Sequence, residues 1–127
     1  PVPISTRWAY EEFDRCGAPG RRYARMVTQA VRAGDIHLLG QSLGNALEGA
    51  VARAYPIVGT LKRKMLELGA LGAAMSGSGS SVFGLAESAE GAARIAGRLG
   101  NSGVRVFAVS TAGAVPSRAA TGRAENG

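Results

Sequence analysis

Five consecutive small residues, Ser76-Gly77-Ser78-Gly79-Ser80, offer the densest opportunity for chemistry in the chain. Glycine at every second position lets successive backbone amides turn toward one anion, as in a phosphate-binding nest, and the serine hydroxyls add donors. The same run also makes a flexible turn between two strands, which is the commoner use of a bare Gly-Ser-Gly sequence. Near the other end, Ser5, Thr6, Trp8 and Tyr10 set hydroxyls and aromatic rings on what reads as a capped helix, with Ser5 or Thr6 as N-cap. A Thr hydroxyl both donates and accepts, and an exposed ring can stack on a base for ~1–3 kcal/mol. The competing use of Trp8 and Tyr10 is core packing, the usual fate of aromatic side chains. His37, the sole histidine, follows Ile36 in the first turn of a helix and reads as a surface or half-buried residue rather than a general base. With one histidine and one cysteine there is no cluster for zinc, so no metal site is expected. Cys16, beside Gly17, cannot form an internal disulfide and reads as an inert thiol in a reducing cytoplasm.

The bulk properties narrow the setting for these groups. The 127 residues suffice for one domain with a real core, and 46% hydrophobic with 19% charged residues is ordinary globular composition. No apolar run approaches the ~20 residues of a membrane span. The opening Pro1-Val2-Pro3-Ile4, without an initiator Met or a charged-then-apolar leader, reads as the middle of a longer protein. A net charge of +6 would suit nucleic acid, an acidic membrane surface or a phosphorylated small molecule. The charges are scattered, however, and the densest run, Lys62-Arg63-Lys64, falls on the outer face of an amphipathic helix, where it reads as solvated surface.

Periodicity supplies the elements that must position the loop. Tyr23, Met26, Val27, Ala30 and Val31 repeat at helical spacing up to Gly34. Asp35 is a suitable N-cap for a second helix, whose apolar stripe runs Ile36, Leu39, Leu43, Leu47 and Ala50. Pro56 opens a third, carrying Val58, Leu61, Met65 and Leu68 inward and ending at Gly69. The period then changes: residues 71–75 and 81–86 are too short for helices and read as two strands joined by the glycine-serine turn. Small side chains before the turn allow another backbone to approach closely. Ser88 caps a further helix with Ala92, Ile95, Ala96 and Leu99 on one face, and Val104 to Val109 alternates as a final strand. From Ala112 the composition predicts a disordered tail, residues 112–127. The order predicts a two-layer α+β domain over residues 1–111, an antiparallel sheet with helices on one face, lacking its first strand.

The stretch Gly69-Ala70-Leu71-Gly72-Ala73-Ala74-Met75-Ser76-Gly77-Ser78-Gly79-Ser80-Ser81-Val82-Phe83-Gly84-Leu85 resembles the third signature motif of the GHMP kinases. Ser80 stands where many members carry a proline. The resemblance implies a ferredoxin-like carboxy-terminal domain of a small-molecule kinase that uses ATP and Mg²⁺. In that family the active site lies between two domains, and this loop packs near a phosphate-binding loop belonging to the other. No Pro-rich, Gly-Leu-Gly-Ser-Ser-like stretch occurs here. The resemblance therefore implies that the phosphate cradle, the catalytic Asp and Lys, and most of the ATP and Mg²⁺ contacts lie outside this chain, leaving Ser76, Gly77, Ser78 and Gly79 as a wall near the phosphates.

Pro3-Ile4-Ser5-Thr6 with Tyr10, together with Asn45-Ala46-Leu47-Glu48, resembles one branch of that family, in which the second motif reads Asn-Asp-Leu-Glu. That branch transfers the ATP γ-phosphoryl group to the 2-hydroxyl of a cytidine-diphosphate sugar alcohol, 4-diphosphocytidyl-2-C-methyl-D-erythritol, in non-mevalonate isoprenoid precursor synthesis. The resemblance spans roughly residues 1–110 and carries the substrate-contacting roles onto Thr6, for the methylerythritol side, and Tyr10, for the cytosine ring. The glycine loop alone would equally fit another member such as homoserine kinase. An RNA-binding α+β module is the reading from a different class; it would need exposed aromatics on adjacent strands, and only Phe83 and Phe107 fall in strand segments. In an intact kinase of this branch, Tyr10→Ala is expected to raise KM for the cytidyl substrate more than KM for ATP. Steady-state kinetics check this, and equal effects on both would reduce Tyr10 to a core residue.

Overall fold

The computed structural model describes residues 3–16 and 23–111; the expected tail and Val2 lie outside them. Along the chain come α1 (Thr6–Cys16), α2 (Tyr23–Ala33), α3 (Ile36–Ser42), α4 (Glu48–Ala54), α5 (Ile57–Glu67), β1 (Gly72–Met75), β2 (Val82–Leu85) and α6 (Ala89–Gly100). Side-chain caps set three of the helix starts. Ser5 Oγ accepts from the Trp8 N–H at 3.3 Å, Asp35 Oδ1 from the Leu38 N–H at 2.9 Å, and Ser88 Oγ from the Gly91 N–H at 3.0 Å. Gly34 (φ 66°) and Gly69 (φ 109°) end α2 and α5 in the left-handed conformation that glycine adopts without strain.

Two sequence expectations are corrected. The stripe from Ile36 to Ala50 is not one helix: it stops at Leu43, whose ψ of 137° is extended, and restarts as α4. Gly44 lies against the Tyr23 ring, where an added Cβ would come 2.0 Å from Cε1. Asn45 then turns its Oδ1 onto the Leu47 N–H at 2.9 Å, a local bond that competes with helix. Residues 104–110 form no strand either, and Phe107 and Val109 are largely exposed. A strand exists through its ladder, and among the described residues this segment pairs with no strand; with β2, α5 and α6 it borders a mostly apolar cavity of ≈ 1240 Å³.

The sheet is a two-stranded antiparallel pair with Gly72 opposite Leu85 and Met75 opposite Val82. Every residue of β1 is buried. Its small side chains admit α3 backbone to backbone: a Cβ on Gly72 would meet the Gly40 carbonyl oxygen at 2.0 Å, and one on Gly40 would meet the Leu71 oxygen at 2.5 Å. The main core forms where α1, α4 and α5 converge on the end of β1, around Ala9, Leu47, Val51, Val58 and Met75. Ile95 and Leu99 anchor α6, and α2 packs on α3. Among the described residues no helix is long and apolar enough to cross a membrane.

Two alanine substitutions should move stability in opposite directions. Gly40→Ala forces α3 and β1 apart and should destabilise by about 1–3 kcal/mol, as overpacking does. Gly97, inside α6 with open space around it, should tolerate the same change and stabilise by about 0.5–1 kcal/mol. Urea unfolding midpoints of the two variants check both signs.

Candidate functional site

The two chemistry-bearing segments of the sequence meet. The Thr6 and Ser78 hydroxyls, 72 residues apart in the chain, share a hydrogen bond at 3.1 Å. They border a cavity of ≈ 500 Å³ whose wall also includes Tyr10, Phe13, Asn45 and Gly77. Tyr10 and Phe13 are three residues apart on α1 and so fall on one helix face. Tyr10 is 55% exposed, so it is no core residue. Trp8, by contrast, is half-buried and packs edge-on against Tyr55, with ring centroids 5.4 Å apart at 87°. The two aromatics that the sequence left undecided have opposite fates.

The loop between β1 and β2 takes its shape from three sources. The Ser76 N–H bonds the Ser81 carbonyl at 2.8 Å, and the Gly79 N–H bonds the Ser76 carbonyl at 3.1 Å. Gly77 (φ 57°) and Gly79 (φ 94°) adopt left-handed conformations. From outside the loop, Asn45 Nδ2 donates to the Met75 carbonyl at 2.8 Å and to the Gly77 carbonyl at 2.7 Å. Of the four loop residues expected near phosphates, Gly77 and Ser78 line the cavity, whereas Ser76 and Gly79 shape the turn. Gly79 sits on the core, close to Met75, Ile4 and Val51.

Behind the loop, Glu48 Oε1 accepts from the Met75 N–H at 2.8 Å, and its other oxygen pairs with Lys62 Nζ. Both side chains are largely shielded, so this pair is less screened than a surface one. Lys62 is therefore not the solvated surface charge that its sequence run suggested, although Arg63 and Lys64 are exposed. His37 is exposed, as expected, and Cys16 Sγ accepts from Arg53 Nη1 at 3.3 Å. On α1 the Arg15 guanidinium hydrogen-bonds Glu12 and holds its carboxyl below the usual carboxylate range.

Sequence reasoning missed Phe13 and the grips of Asn45 and Glu48 on the loop. The sequence placed Asn45 and Glu48 inside one helix running from Ile36 to Ala50, and nothing local pointed to residues 75–77, some thirty positions on. The cavity presents hydroxyls, an amide, peptide groups and two rings; among the described residues no carboxylate lines it. It suits a polar ligand with a flat ring and does not fit a hard divalent cation, which takes carboxylate and phosphate oxygens. Among the described residues no three His, Cys, Asp or Glu side chains come together as a metal would need.

The two loop glycines should differ in tolerance. A Cβ at Gly77 meets open space, so Gly77→Ala should lose about 1–2 kcal/mol, the backbone penalty alone. At Gly79 a Cβ would also approach Met75 Sδ to 2.9 Å and Ile4 and Val51 carbons to 3.2 Å, so Gly79→Ala should lose more stability. Denaturant titration of both variants tests the order.

Comparison with known proteins follows the same lines. The sequence model of the family described as "GHMP kinases C terminal" matches residues 27–105. A Pelotomaculum thermopropionicum protein named "4-diphosphocytidyl-2-C-methyl-D-erythritol kinase" is 36% identical over 111 residues, which cover 87% of this chain and 39% of that protein. One of the same name from Alkaliphilus metalliredigens is 42% identical over 84 residues, covering 66% of this chain and 29% of its own length. A solved structure titled "Crystal structure of 4-(cytidine 5'-diphospho)-2C-methyl-D-erythritol kinase" superposes with a TM-score of 0.64 at 29% identity, covering 79% of this chain and 36% of that one. The chain thus spans at most 39% of the length of these relatives.

Proposed function

The chain belongs to the GHMP kinase carboxy-terminal family, and from that premise we propose that it is the substrate-side part of a 4-diphosphocytidyl-2-C-methyl-D-erythritol kinase. Such a kinase transfers the ATP γ-phosphoryl group to the 2-hydroxyl of its substrate, a step in isoprenoid precursor synthesis. The observation that carries the reading is the Thr6–Ser78 hydrogen bond, which closes one cavity from the two segments whose residues resemble that branch. In this proposal Tyr10 and Phe13 offer ring faces to the cytosine end, and Thr6 offers its hydroxyl to the polyol. The loop Ser76-Gly77-Ser78-Gly79 buttresses the phosphate side.

Phosphoryl transfer depends on positioning and on charge stabilisation at the transferring group. This chain's part in it is positioning: Ser78 and Thr6 hold each other, and the rings hold the far end of the substrate. Among the described residues its cavity offers no carboxylate to a cation, so Mg²⁺, the larger share of the ATP contacts and the catalytic Asp and Lys are assigned to the part of the kinase outside this chain. The lone Cys16 fits a reducing compartment, which supports a cytoplasmic enzyme. Homoserine kinase remains the weaker reading, because the shared loop is common to both and the names of the similar proteins favour the cytidyl substrate. RNA binding lacks its platform, since Phe107 lies outside any strand and Phe83 is paired with Ala74 rather than with an aromatic residue.

Incubating the chain alone with ATP, Mg²⁺ and the cytidyl substrate should give no ADP release, while the full-length kinase should turn over. Turnover by the chain alone would sink the assignment of the catalytic groups elsewhere. A full-length protein that phosphorylates homoserine and not the cytidyl alcohol would replace the proposed substrate.

A further inference from the structure

The amide of Asn45 does more than line the cavity. Its Nδ2 has two hydrogens, and the two recipients, the Met75 and Gly77 carbonyls, flank Ser76 at the start of the loop. Its Oδ1 is held by the Leu47 N–H at 2.9 Å, so the orientation of the amide is set by the turn that begins α4. Because a trans peptide points its N–H opposite its C=O, holding the Gly77 carbonyl toward Asn45 sends the Ser78 N–H the other way. The Ser78 hydroxyl meanwhile reaches Thr6. Asn45 thus sets the Gly77–Ser78 peptide, while Thr6 holds the Ser78 hydroxyl and the Ser81 carbonyl holds the Ser76 N–H.

We propose that Asn45 is a positioning residue for phosphoryl transfer, acting through residues 76–78 by fixing which side of the glycine loop its donors face. The proposal rests on the kinase reading above and extends it from the substrate-contacting residues to the group that aims the loop. A turn with two left-handed glycines has many accessible conformations, and the serines alone do not choose among them. Asn45 chooses by binding two carbonyls at once. Glu48 and Lys62 hold the strand end from behind, on the Met75 N–H, and do not touch residues 76–78 in this way.

Asn45→Asp in the full-length kinase keeps the shape but replaces the donor amide with a carboxylate facing two carbonyl oxygens. The expected result is a fall in kcat of about tenfold or more, an effect on the order of one hydrogen-bonded interaction, with KM for the cytidyl substrate changed much less. Lys62→Met, which breaks the ion pair behind the loop, should lower the unfolding midpoint and leave kcat in place. Hydrogen exchange should speed about tenfold at residues 76–79 in Asn45→Asp, with Gly72 to Ala74 unaffected. Unchanged exchange at 76–79 would overturn the proposal, whatever the enzyme phosphorylates. So would an unchanged kcat, or a kcat that falls in both variants in step with lost stability. A wild-type enzyme inactive on the cytidyl substrate would instead refute the substrate reading, with exchange still reporting on Asn45.

Discussion

The structure depends on how the outer edge of β1 is closed at Met75. In an antiparallel pair, alternate residues direct both their N–H and C=O away from the partner strand. Ser76 bonds across to Ser81, so its neighbour Met75 faces outward. Met75 is also buried to 1% exposure, and unpaired peptide groups there would be unfavourable. Glu48 accepts its N–H and Asn45 donates to its C=O, so two side chains from the start of α4 stand where a third strand would otherwise bond. That contact fixes α4 against the sheet, and through α4 the core that α1 and α5 share.

The consequences reach the cavity. With α4 docked, α1 packs on it through Ala9 and brings Thr6 to the loop, while Tyr10 stays on the open side. Farther along β1 the backbone of Gly40 covers a face of the strand at Gly72, where a side chain would otherwise project. The four buried residues of β1 are thus held by backbone contact at Gly72 and by a side-chain amide and carboxylate at Met75. The cavity wall and the stability of the sheet are aspects of one arrangement.

Much of the fold was legible because its signals are local. Asp35 and Ser88 cap the helices that their positions announced, since a cap acts on amides two or three residues away. The two strands and the turn between them follow from a change of period and two glycines. The break at Leu43 was hidden because the apolar stripe continues through it; what interrupts the helix is the Tyr23 ring, which needs Gly44, and the side-chain turn of Asn45. Val104 to Val109 has the pattern of a strand, but a strand exists only through pairing, and among the described residues only β1 and β2 pair.

By itself the sequence determined which residues could serve a site: a loop of glycines and serines, a hydroxyl at Thr6, a ring at Tyr10, and the helices and strands that carry them. Composition, period and capping are properties of neighbours along the chain, and those suffice for that much. Only the tertiary structure decided that Thr6 meets Ser78, that Tyr10 is exposed while Trp8 packs on Tyr55, and that Asn45 and Glu48 grip the loop rather than solvent. Each of those facts joins residues many positions apart. Such pairings are selected by the burial of Met75 and the close approach of two glycines, conditions that exist only once the helices have closed on the sheet.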